Sequence, residues 1–246
     1  MKFIGLVSGG KDSIYTICKL IDEGNTLVAL LYIESEASYS DSYMYQTVGS
    51  ETAKLLGSCF DKPLFTFSSK CKTLCTDLEY TELEGDEVED LYNGIKSMLK
   101  TLQFEAISSG AIFSTYQKNR VEYICERLNL KSLAPLWGRN QKELLLEMVN
   151  YGIDAKIIKV ASSFLEKSCL NMSLKEIYDY MVNKNSKYEV NYCGEGGEFE
   201  TAVLDCPHFK NKISIGSYEI LGHPEEKNKE NGVFYLVMKD VKIVPK

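Results

Sequence analysis

Residues 8–13, Ser-Gly-Gly-Lys-Asp-Ser, combine the residue types that bind phosphate. Adjacent glycines let the backbone approach an anion closely, Lys11 supplies a positive charge, and the serine hydroxyls donate hydrogen bonds. The segment follows a short apolar run and precedes an amphipathic one, so it lies between a strand and a helix. Backbone N–H groups and the positive end of the helix dipole gather around phosphate at such a position. We therefore predict a phosphate site in an exposed turn, formed by Ser8, Gly9, Gly10, Lys11, Asp12 and Ser13.

Asp12 distinguishes this turn from a kinase-type phosphate loop. The spacing from Gly5 to Lys11 fits G-x-x-x-x-G-K-[ST], but Asp12 stands where that pattern has a magnesium-binding hydroxyl. A carboxylate beside phosphate requires a cation between them, so Asp12 is a candidate Mg²⁺ ligand. The turn resembles instead the signature of the pyrophosphatase-loop family of ATP users. That resemblance implies that Lys11 and Asp12 act in cleavage between the α- and β-phosphates of ATP, with pyrophosphate as the leaving group.

A second cluster lies in residues 194–201, where three carboxylates fall within six residues of a Gly-rich bend. Glu198 and Glu200 alternate and would share one strand face, which suits the binding of magnesium or ammonium. We predict both as catalytic residues, and Glu195, Gly196 and Gly197 as substrate-binding residues. The alternative is a solvated hairpin turn without a chemical role.

A third cluster opens a predicted helix in residues 84–91, which contain five acidic residues. Acids at a helix start are favourable against the dipole, so capping alone is one explanation. Asp86, Glu89 and Asp90 also share one helix face, which favours a binding surface. The predicted substrate-binding residues here are Glu84, Asp86, Glu87, Glu89 and Asp90, joined elsewhere in the chain by Tyr116, Arg120 and Arg139. Ser109, Gly110 and Ala111 follow a predicted strand and are predicted to contact the adenine or ribose of ATP.

The elements that position these residues alternate through the first 135 residues. Predicted strands occupy residues 2–7, 26–33, 64–67 and 106–109, and helical spacing is found in residues 13–22, 44–56, 88–102 and 121–128. The run at 26–33 is almost continuously apolar, as in a parallel strand covered on both faces. This order predicts an α/β fold with a doubly wound, Rossmann-like parallel sheet that binds ligands at the carboxyl ends of its strands.

The remainder of the chain is less regular. Helices are predicted at 141–149 and 174–182, and strands at 155–160, 201–204, 212–221 and 233–243. We predict two domains: an ATP-binding domain at residues 1–135 and a smaller α+β substrate-binding domain at residues 136–246.

Composition limits the kinds of partner that we expect. The chain has 246 residues, with 28 Lys and Arg against 35 Asp and Glu, for a net charge of −7. Nucleic-acid and anionic-membrane binders are usually basic, so we expect neither partner. No run approaches the ~20 apolar residues of a membrane span. The start has no signal-peptide pattern, so we expect a cytoplasmic protein whose 8 cysteines are reduced.

Several longer segments, taken together, resemble the diphthine–ammonia ligase family. They are DSYMYQTVG (41–49), EGDEVEDL (84–91), SGAIFSTYQKNRVEYICERLNL (109–130), PLWGRNQKELLLEM (135–148) and CGEGGEFETAVLDCP (193–207). The resemblance implies an adenine nucleotide alpha hydrolase-type fold and an ATP-dependent reaction. In that reaction the diphthine carboxylate on translation elongation factor 2 is amidated with ammonium through an acyl-adenylate, releasing AMP and pyrophosphate, with Mg²⁺ as cofactor. Phe199 departs from the family pattern, in which Tyr is common at that position.

The resemblance gives the acidic cluster a specific role. Diphthine carries a quaternary trimethylammonium, which is recognised through charge or cation–π contacts, so the acidic helix face is predicted to attract it. Two alternatives remain: a tRNA-modifying adenylating enzyme with the same loop, and a non-catalytic nucleotide-binding sensor. Residue 2 is Lys and both histidines lie in the last third of the chain. A glutaminase nucleophile is therefore not expected, and free ammonium is the predicted nitrogen source.

Overall fold

The computed structural model describes residues 1–36, 44–46, 48–184, 191–223 and 232–246. Its N-terminal half contains a five-stranded parallel sheet. The strands are β1 (Lys2–Val7), β2 (Thr26–Ser35), β3 (Leu64–Ser69), β4 (Ala106–Ser108) and β5 (Lys131–Leu133). Their order across the sheet is β3-β2-β1-β4-β5, so the direction of winding reverses at β1. Ligands of such sheets bind where the order reverses, beyond the carboxyl ends of the strands.

Helices cover both faces of this sheet. They are α1 (Lys11–Asp22), α2 (Ser50–Ala53), α3 (Leu56–Phe60), α4 (Glu87–Met98) and α5 (Thr115–Arg127). Neighbouring residues of β1 point to opposite faces, because Phe3 belongs to the buried cluster with α1 and α3 while Ile4 belongs to the cluster with α4 and α5. The predicted α/β fold with a doubly wound, Rossmann-like sheet is therefore confirmed.

The helix predicted at 44–56 is confirmed only in part, at residues 50–53 and at residue 56. Gly49 has a left-handed φ of 89°, and helix forms after it only as the short α2 and α3. A Cβ at Gly49 would lie 2.7 Å from Ile158 Cδ1, so the chain at this turn packs too closely against a later strand to carry a side chain. Residues 41–43 and 47 of the motif at 41–49 lie outside the described residues. The three-residue strand β5 was not predicted.

The C-terminal half is antiparallel. Two helices, α6 (Gln141–Tyr151) and α7 (Leu174–Lys184), accompany β6 (Asp154–Val160), β7 (Phe199–Asp205), β8 (Asn211–Ser214), β9 (Ser217–Gly222), β10 (Phe234–Lys239) and β11 (Lys242–Pro245). The order β7-β6-β10-β9 forms one sheet, and β11 pairs with β8 in a second.

Two predicted strands of this half are each divided in two. The strand predicted at 212–221 breaks into β8 and β9, and that at 233–243 breaks into β10 and β11. The breaks lie against each other, since a Cβ at Gly216 would be 2.7 Å from Asp240 Cβ, and Asp240 itself has a φ of 53°. Both predicted strands therefore leave the four-stranded sheet at the same corner, one between β8 and β9 and the other between β10 and β11.

The two halves pack together through a shared core. The largest buried cluster includes Ile14 and Ile17 of α1 together with Leu144 of α6, Ile157 of β6 and Val203 of β7. Next to this cluster, the Val203 N–H donates to the Gly9 carbonyl at 2.9 Å. The phosphate loop predicted from the sequence is thus held against β7. In the described part of the chain, no helix is both long and apolar enough to cross a membrane.

Asp86 is the N-cap of α4. Its side chain is fully buried, and Oδ1 accepts from the Val88 N–H at 2.9 Å. Oδ2 accepts from the N–H groups of Leu74 at 2.8 Å and Cys75 at 3.2 Å. One carboxylate therefore satisfies three backbone donors and ties the segment between β3 and α4 to the helix start.

The other acids of this segment are also engaged within the protein. Glu89 is 9% exposed and accepts from Arg127 Nη1 at 2.7 Å. Glu87 accepts from Thr73 Oγ1 at 2.8 Å, and Asp90 from Ser69 Oγ at 2.6 Å. Glu84 is exposed in the preceding loop. The predicted acidic face, open to a cationic substrate, is a wrong prediction, because these carboxylates cap the helix and bind neighbouring groups.

We expect Asp86→Ala to lower the free energy of unfolding by about 2–4 kcal/mol, because a cap is lost and buried N–H groups are left without an acceptor. Urea denaturation measures this loss. Glu84→Ala, on the exposed loop, is the matched control and should change stability by no more than about 0.5 kcal/mol. An Asp86→Ala protein of normal stability would contradict the capping role.

Candidate active site

A cavity of about 540 Å³ lies at the carboxyl ends of β1, β2 and β4, between the two halves. The N-terminal half contributes Leu6, Val7, Ser8, Gly10, Lys11, Asp12, Ser13, Leu31, Tyr32, Ile33, Met44, Tyr45, Gln46, Leu91, Ser109, Gly110, Ala111, Ser114, Gln117 and Val121. The C-terminal half contributes Cys193, Gly194, Glu195, Gly196, Gly197, Phe199, Glu200 and Thr201. The structure thus brings all the predicted ATP-binding residues to one cavity except Gly9, whose carbonyl accepts from Val203.

Lys11 is 2% exposed, which corrects the expectation of an exposed turn. Its Nζ donates to Asp12 Oδ2 at 2.8 Å and to the Cys193 carbonyl, and it lies 5.1 Å from the centre of the Phe199 ring. Its backbone N–H donates to Thr201 Oγ1 at 3.0 Å. Burial lowers the pKa of Lys11, but the charge of Asp12 and other acidic groups outweighs it, so the pKa is raised overall. The ammonium group therefore stays charged in the cavity wall.

Asp12 directs one carboxylate oxygen to Lys11 and leaves the other unpaired. Its side chain is 24% exposed. Oδ1 is itself buried and has no hydrogen-bond partner among the described residues. A buried carboxylate oxygen without a donor is poorly solvated, so Asp12 has an open position for a cation.

Glu200, on β7, resembles Asp12 in that only one of its carboxylate oxygens has a partner among the described residues. It accepts from Lys159 Nζ at 2.8 Å through Oε1, while Oε2 is buried and without a partner in the described part of the chain. Burial raises the pKa of Glu200 above its ordinary value, and both Lys159 and a hydrogen bond from the Val48 backbone partly oppose that shift. Glu200 is therefore a carboxylate in the cavity wall that takes up a proton more readily than an exposed glutamate.

Glu198, the neighbour predicted to act with Glu200, does not line the cavity. Its carboxylate accepts from Asn191 Nδ2 at 2.5 Å and from the Gly196 N–H at 2.8 Å. Glu198 precedes β7, so the alternation of a strand does not yet apply to it. The two carboxylates do not form a pair.

Glu195 binds a turn of the other half. Its Oε2 accepts from the N–H groups of Ile112 at 3.2 Å, Phe113 at 2.8 Å and Ser114 at 3.2 Å, at the start of α5. Burial and the nearby charge of Asp12 raise the pKa of Glu195, whereas these hydrogen bonds oppose the shift. Glu195 therefore joins the two halves at the cavity wall.

One wall of the cavity is apolar, and it was not predicted from the sequence. Leu31, Ile33, Leu91 and Val121 line it, together with Tyr45, whose hydroxyl donates to the Glu87 carbonyl at 2.9 Å. The apolar run of β2 was a signal of burial, but nothing in it distinguished core from cavity lining. This wall can accept a flat apolar ring.

Tyr116 and Arg120, predicted to bind substrate, hold α5 to the segment after β3. Arg120 is fully buried, donates to the carbonyls of Cys75 at 2.7 Å and Asp77 at 3.1 Å, and stacks 3.2 Å from the centre of the Tyr116 ring. Arg139 pairs with Glu147 at 2.6 Å. None of these three side chains lines the cavity, and neither do Glu84, Asp86, Glu87, Glu89 or Asp90.

Two family models match this chain. One, described as the diphthamide synthase N-terminal domain, matches residues 1–132, and the other, the diphthamide synthase C-terminal domain, matches residues 140–243. A solved structure titled as a predicted subunit of tRNA methyltransferase from Methanocaldococcus jannaschii aligns over 84% of this chain and 98% of that chain. Its TM-score is 0.38 and its identity 16%.

Curated relatives named diphthine–ammonia ligase align with most of the chain. The mouse protein is 45% identical and the human protein 44% identical, each over 229 residues that cover 91% of this chain and 86% of the relative. The Schizosaccharomyces pombe protein is 45% identical over 226 residues, which are 91% of this chain but 37% of the yeast protein. Since two family models and relatives at this identity cover most of its length, the chain belongs to the diphthamide synthase family of ligases.

Proposed function

We propose that this protein is a diphthine–ammonia ligase that uses ATP to amidate the carboxylate of diphthine on translation elongation factor 2 with ammonium. The observation that carries the proposal is the meeting of two groups in one cavity. The loop with Lys11 and Asp12 comes from the N-terminal half, and Glu200 comes from the C-terminal half. We further propose a cytoplasmic location and a division at residue 135 into an ATP-binding and a substrate-binding domain.

We propose one orientation for ATP in the cavity. The adenine ring would lie against the apolar wall formed by Leu31, Ile33 and Val121, and the phosphates against residues 8–13 and the start of α1. The N–H groups at the start of a helix and the charge of Lys11 favour phosphate there. In this orientation Lys11 contacts the β- and γ-phosphates, so it stabilises charge that develops on pyrophosphate as it leaves.

The first step joins the substrate to AMP. A carboxylate oxygen of diphthine attacks the α-phosphorus of ATP, and the bond between that phosphorus and the oxygen bridging to the β-phosphate breaks. The products are an acyl-adenylate and pyrophosphate. A preorganised positive charge at the leaving group lowers such a barrier, and the buried Lys11 has little freedom to reorganise.

The second step forms the amide. Ammonium gives one proton to a base, the nitrogen of the resulting ammonia attacks the acyl carbon, and the C–O bond to AMP breaks. The nitrogen then loses a second proton to solvent, which leaves the neutral amide. Glu200 is the proposed proton acceptor because its Oε2 lacks a partner among the described residues and its pKa is raised. Cys193 also lines the cavity, but burial raises its pKa to about 12. A thiol in that state is a poor nucleophile for glutamine, which favours free ammonium.

The donor set fits a magnesium ion held together with ATP. Mg²⁺ is commonly bound by one or two carboxylates and by substrate phosphates. Asp12 Oδ1 is the unpartnered oxygen beside the phosphate position, whereas the described residues contain no group of three His, Cys, Asp or Glu that could hold a metal. We propose Asp12 as the protein ligand. When bound, the ion would neutralise phosphate charge next to the Asp12 carboxylate.

We expect Lys11→Met to reduce amide formation by at least about 100-fold, because a charge contact to the leaving pyrophosphate is lost. Methionine preserves most of the buried volume, so the melting temperature should show a folded protein. The assay is amide formed on diphthine-bearing elongation factor. A folded Lys11→Met protein with normal turnover would remove Lys11 from the reaction.

Cleavage should occur between the α- and β-phosphates. With ATP labelled at the α-phosphate, we expect one AMP for each amide formed, and hydroxylamine in place of ammonium should trap the acyl-adenylate as a hydroxamate. ADP as the stoichiometric product would instead indicate an acyl phosphate and contradict the proposed route.

Glu200→Gln should lower kcat and remove the acidic limb of its pH profile. The limb arises because a base must be deprotonated to act, and the raised pKa of Glu200 places the loss of activity at a higher pH than for an ordinary glutamate. The control is Glu219→Gln, which changes an exposed ion pair on β9. If the Glu200→Gln profile keeps its acidic limb, another group is the base.

A further inference from the structure

Residues 193–197 form a strap that crosses between the two halves, and all five of its residues line the cavity. Its first residue is fixed to the start of α6: the Cys193 N–H donates to Gln141 Oε1 at 2.9 Å, and Cys193 Sγ donates to the Gln141 carbonyl at 3.3 Å. The rest of the strap is rich in glycine. Gly194 and Gly197 have left-handed φ angles of 74° and 81°, which glycine adopts without steric cost, and the Gly197 N–H donates to the Gly194 carbonyl at 2.9 Å.

Glu195 supplies the second anchor of the strap. Three consecutive N–H groups, of residues 112–114, converge on its Oε2. Hydrogen bonds from N–H groups to an ionised carboxylate are about twice as strong as neutral ones, and successive N–H groups form a concave anion-binding surface. The strap is thereby held to α5 as well as to α6.

The strap reaches Lys11 through one carbonyl. Lys11 Nζ donates to the carbonyl of Cys193, whose peptide group ends at Gly194. The orientation of that peptide depends on the φ of Gly194, and the next residue is the anchored Glu195. The Gly194 N–H of the same peptide donates to the Asn191 carbonyl at 2.9 Å, so the peptide is held on its N-terminal side by that bond and on its C-terminal side by Glu195. Release of Glu195 would remove the C-terminal contact and let the Cys193 carbonyl shift away from Lys11, which would weaken one of the two acceptors that direct its ammonium group.

We propose that Glu195 is a positioning residue for nucleotide binding: it anchors the strap to residues 112–114, and through the Cys193 carbonyl it directs Lys11 toward the phosphates of ATP. The inference rests on the proposed function only in taking ATP as the ligand. It replaces the sequence-based prediction of Glu195 as a direct substrate contact.

The test is a double-mutant cycle on ATP affinity, measured by isothermal titration calorimetry with the full chain. We expect Glu195→Gln to weaken ATP binding roughly tenfold, since a charge-assisted anchor is lost. In a Lys11→Met background the same substitution should weaken binding by less than about twofold, because residues that act through one another are not additive. Glu126→Gln, on the exposed face of α5, is the matched control and should bind ATP normally in both backgrounds.

Equal weakening by Glu195→Gln in the two backgrounds would show a general structural role and overturn the proposal, as would normal affinity in both. Circular dichroism and the melting temperature establish that each variant is folded. If Glu195→Gln does not fold, Glu195→Asp enters the same cycle; it keeps the charge but is one methylene too short to reach residues 112–114, so the same non-additivity is expected. Failure of the unmodified protein to bind ATP would instead contradict the proposed function.

Discussion

The charged ammonium group of Lys11 is almost completely buried, and the arrangement of the site follows from how that charge is accommodated. An unpaired buried charge is strongly destabilising, so Lys11 requires acceptors within the protein. One is its neighbour Asp12, and the other is the carbonyl of Cys193, which belongs to the C-terminal half. The Lys11 N–H also donates to Thr201. The predicted phosphate loop is therefore completed by residues of the C-terminal half, which the sequence of the loop alone does not contain.

Much of the fold could be predicted because hydrophobic periodicity reports burial directly. The apolar run of β2 predicted a parallel strand with both faces covered, and that is its place in the sheet. Periodicity did not reveal where elements break. Gly49 interrupts a helical pattern because its φ is positive and the chain packs against Ile158, and Gly216 and Asp240 break two strands at one shared corner. These breaks depend on contacts between distant segments, which a local pattern does not contain.

The candidate site likewise contains features that could be predicted from the sequence and features that could not. Contiguous motifs with a chemical signature, the loop at residues 8–13 and the Gly-rich segment at 194–201, were found and lie at one cavity. The acidic helix start was assigned the wrong role, because residue type and helical face do not show whether a carboxylate is exposed. Asp86 has three backbone donors, and Glu89 has Arg127. The apolar wall was missed because cavity lining and core have the same composition.

The contacts that complete the loop join residues far apart in the chain: Lys11 and Thr201 are separated by 190 positions, and Lys11 and Cys193 by 182. During synthesis, β1 and α1 leave the ribosome long before β7 exists, and contacts of such separation form late because closing the intervening chain costs entropy. The nascent N-terminal sheet thus carries a lysine that has Asp12 beside it but not yet its second acceptor, the Cys193 carbonyl. The proposed nucleotide site is therefore assembled late in folding, and a chain interrupted before β7 lacks it even where its parallel sheet is complete.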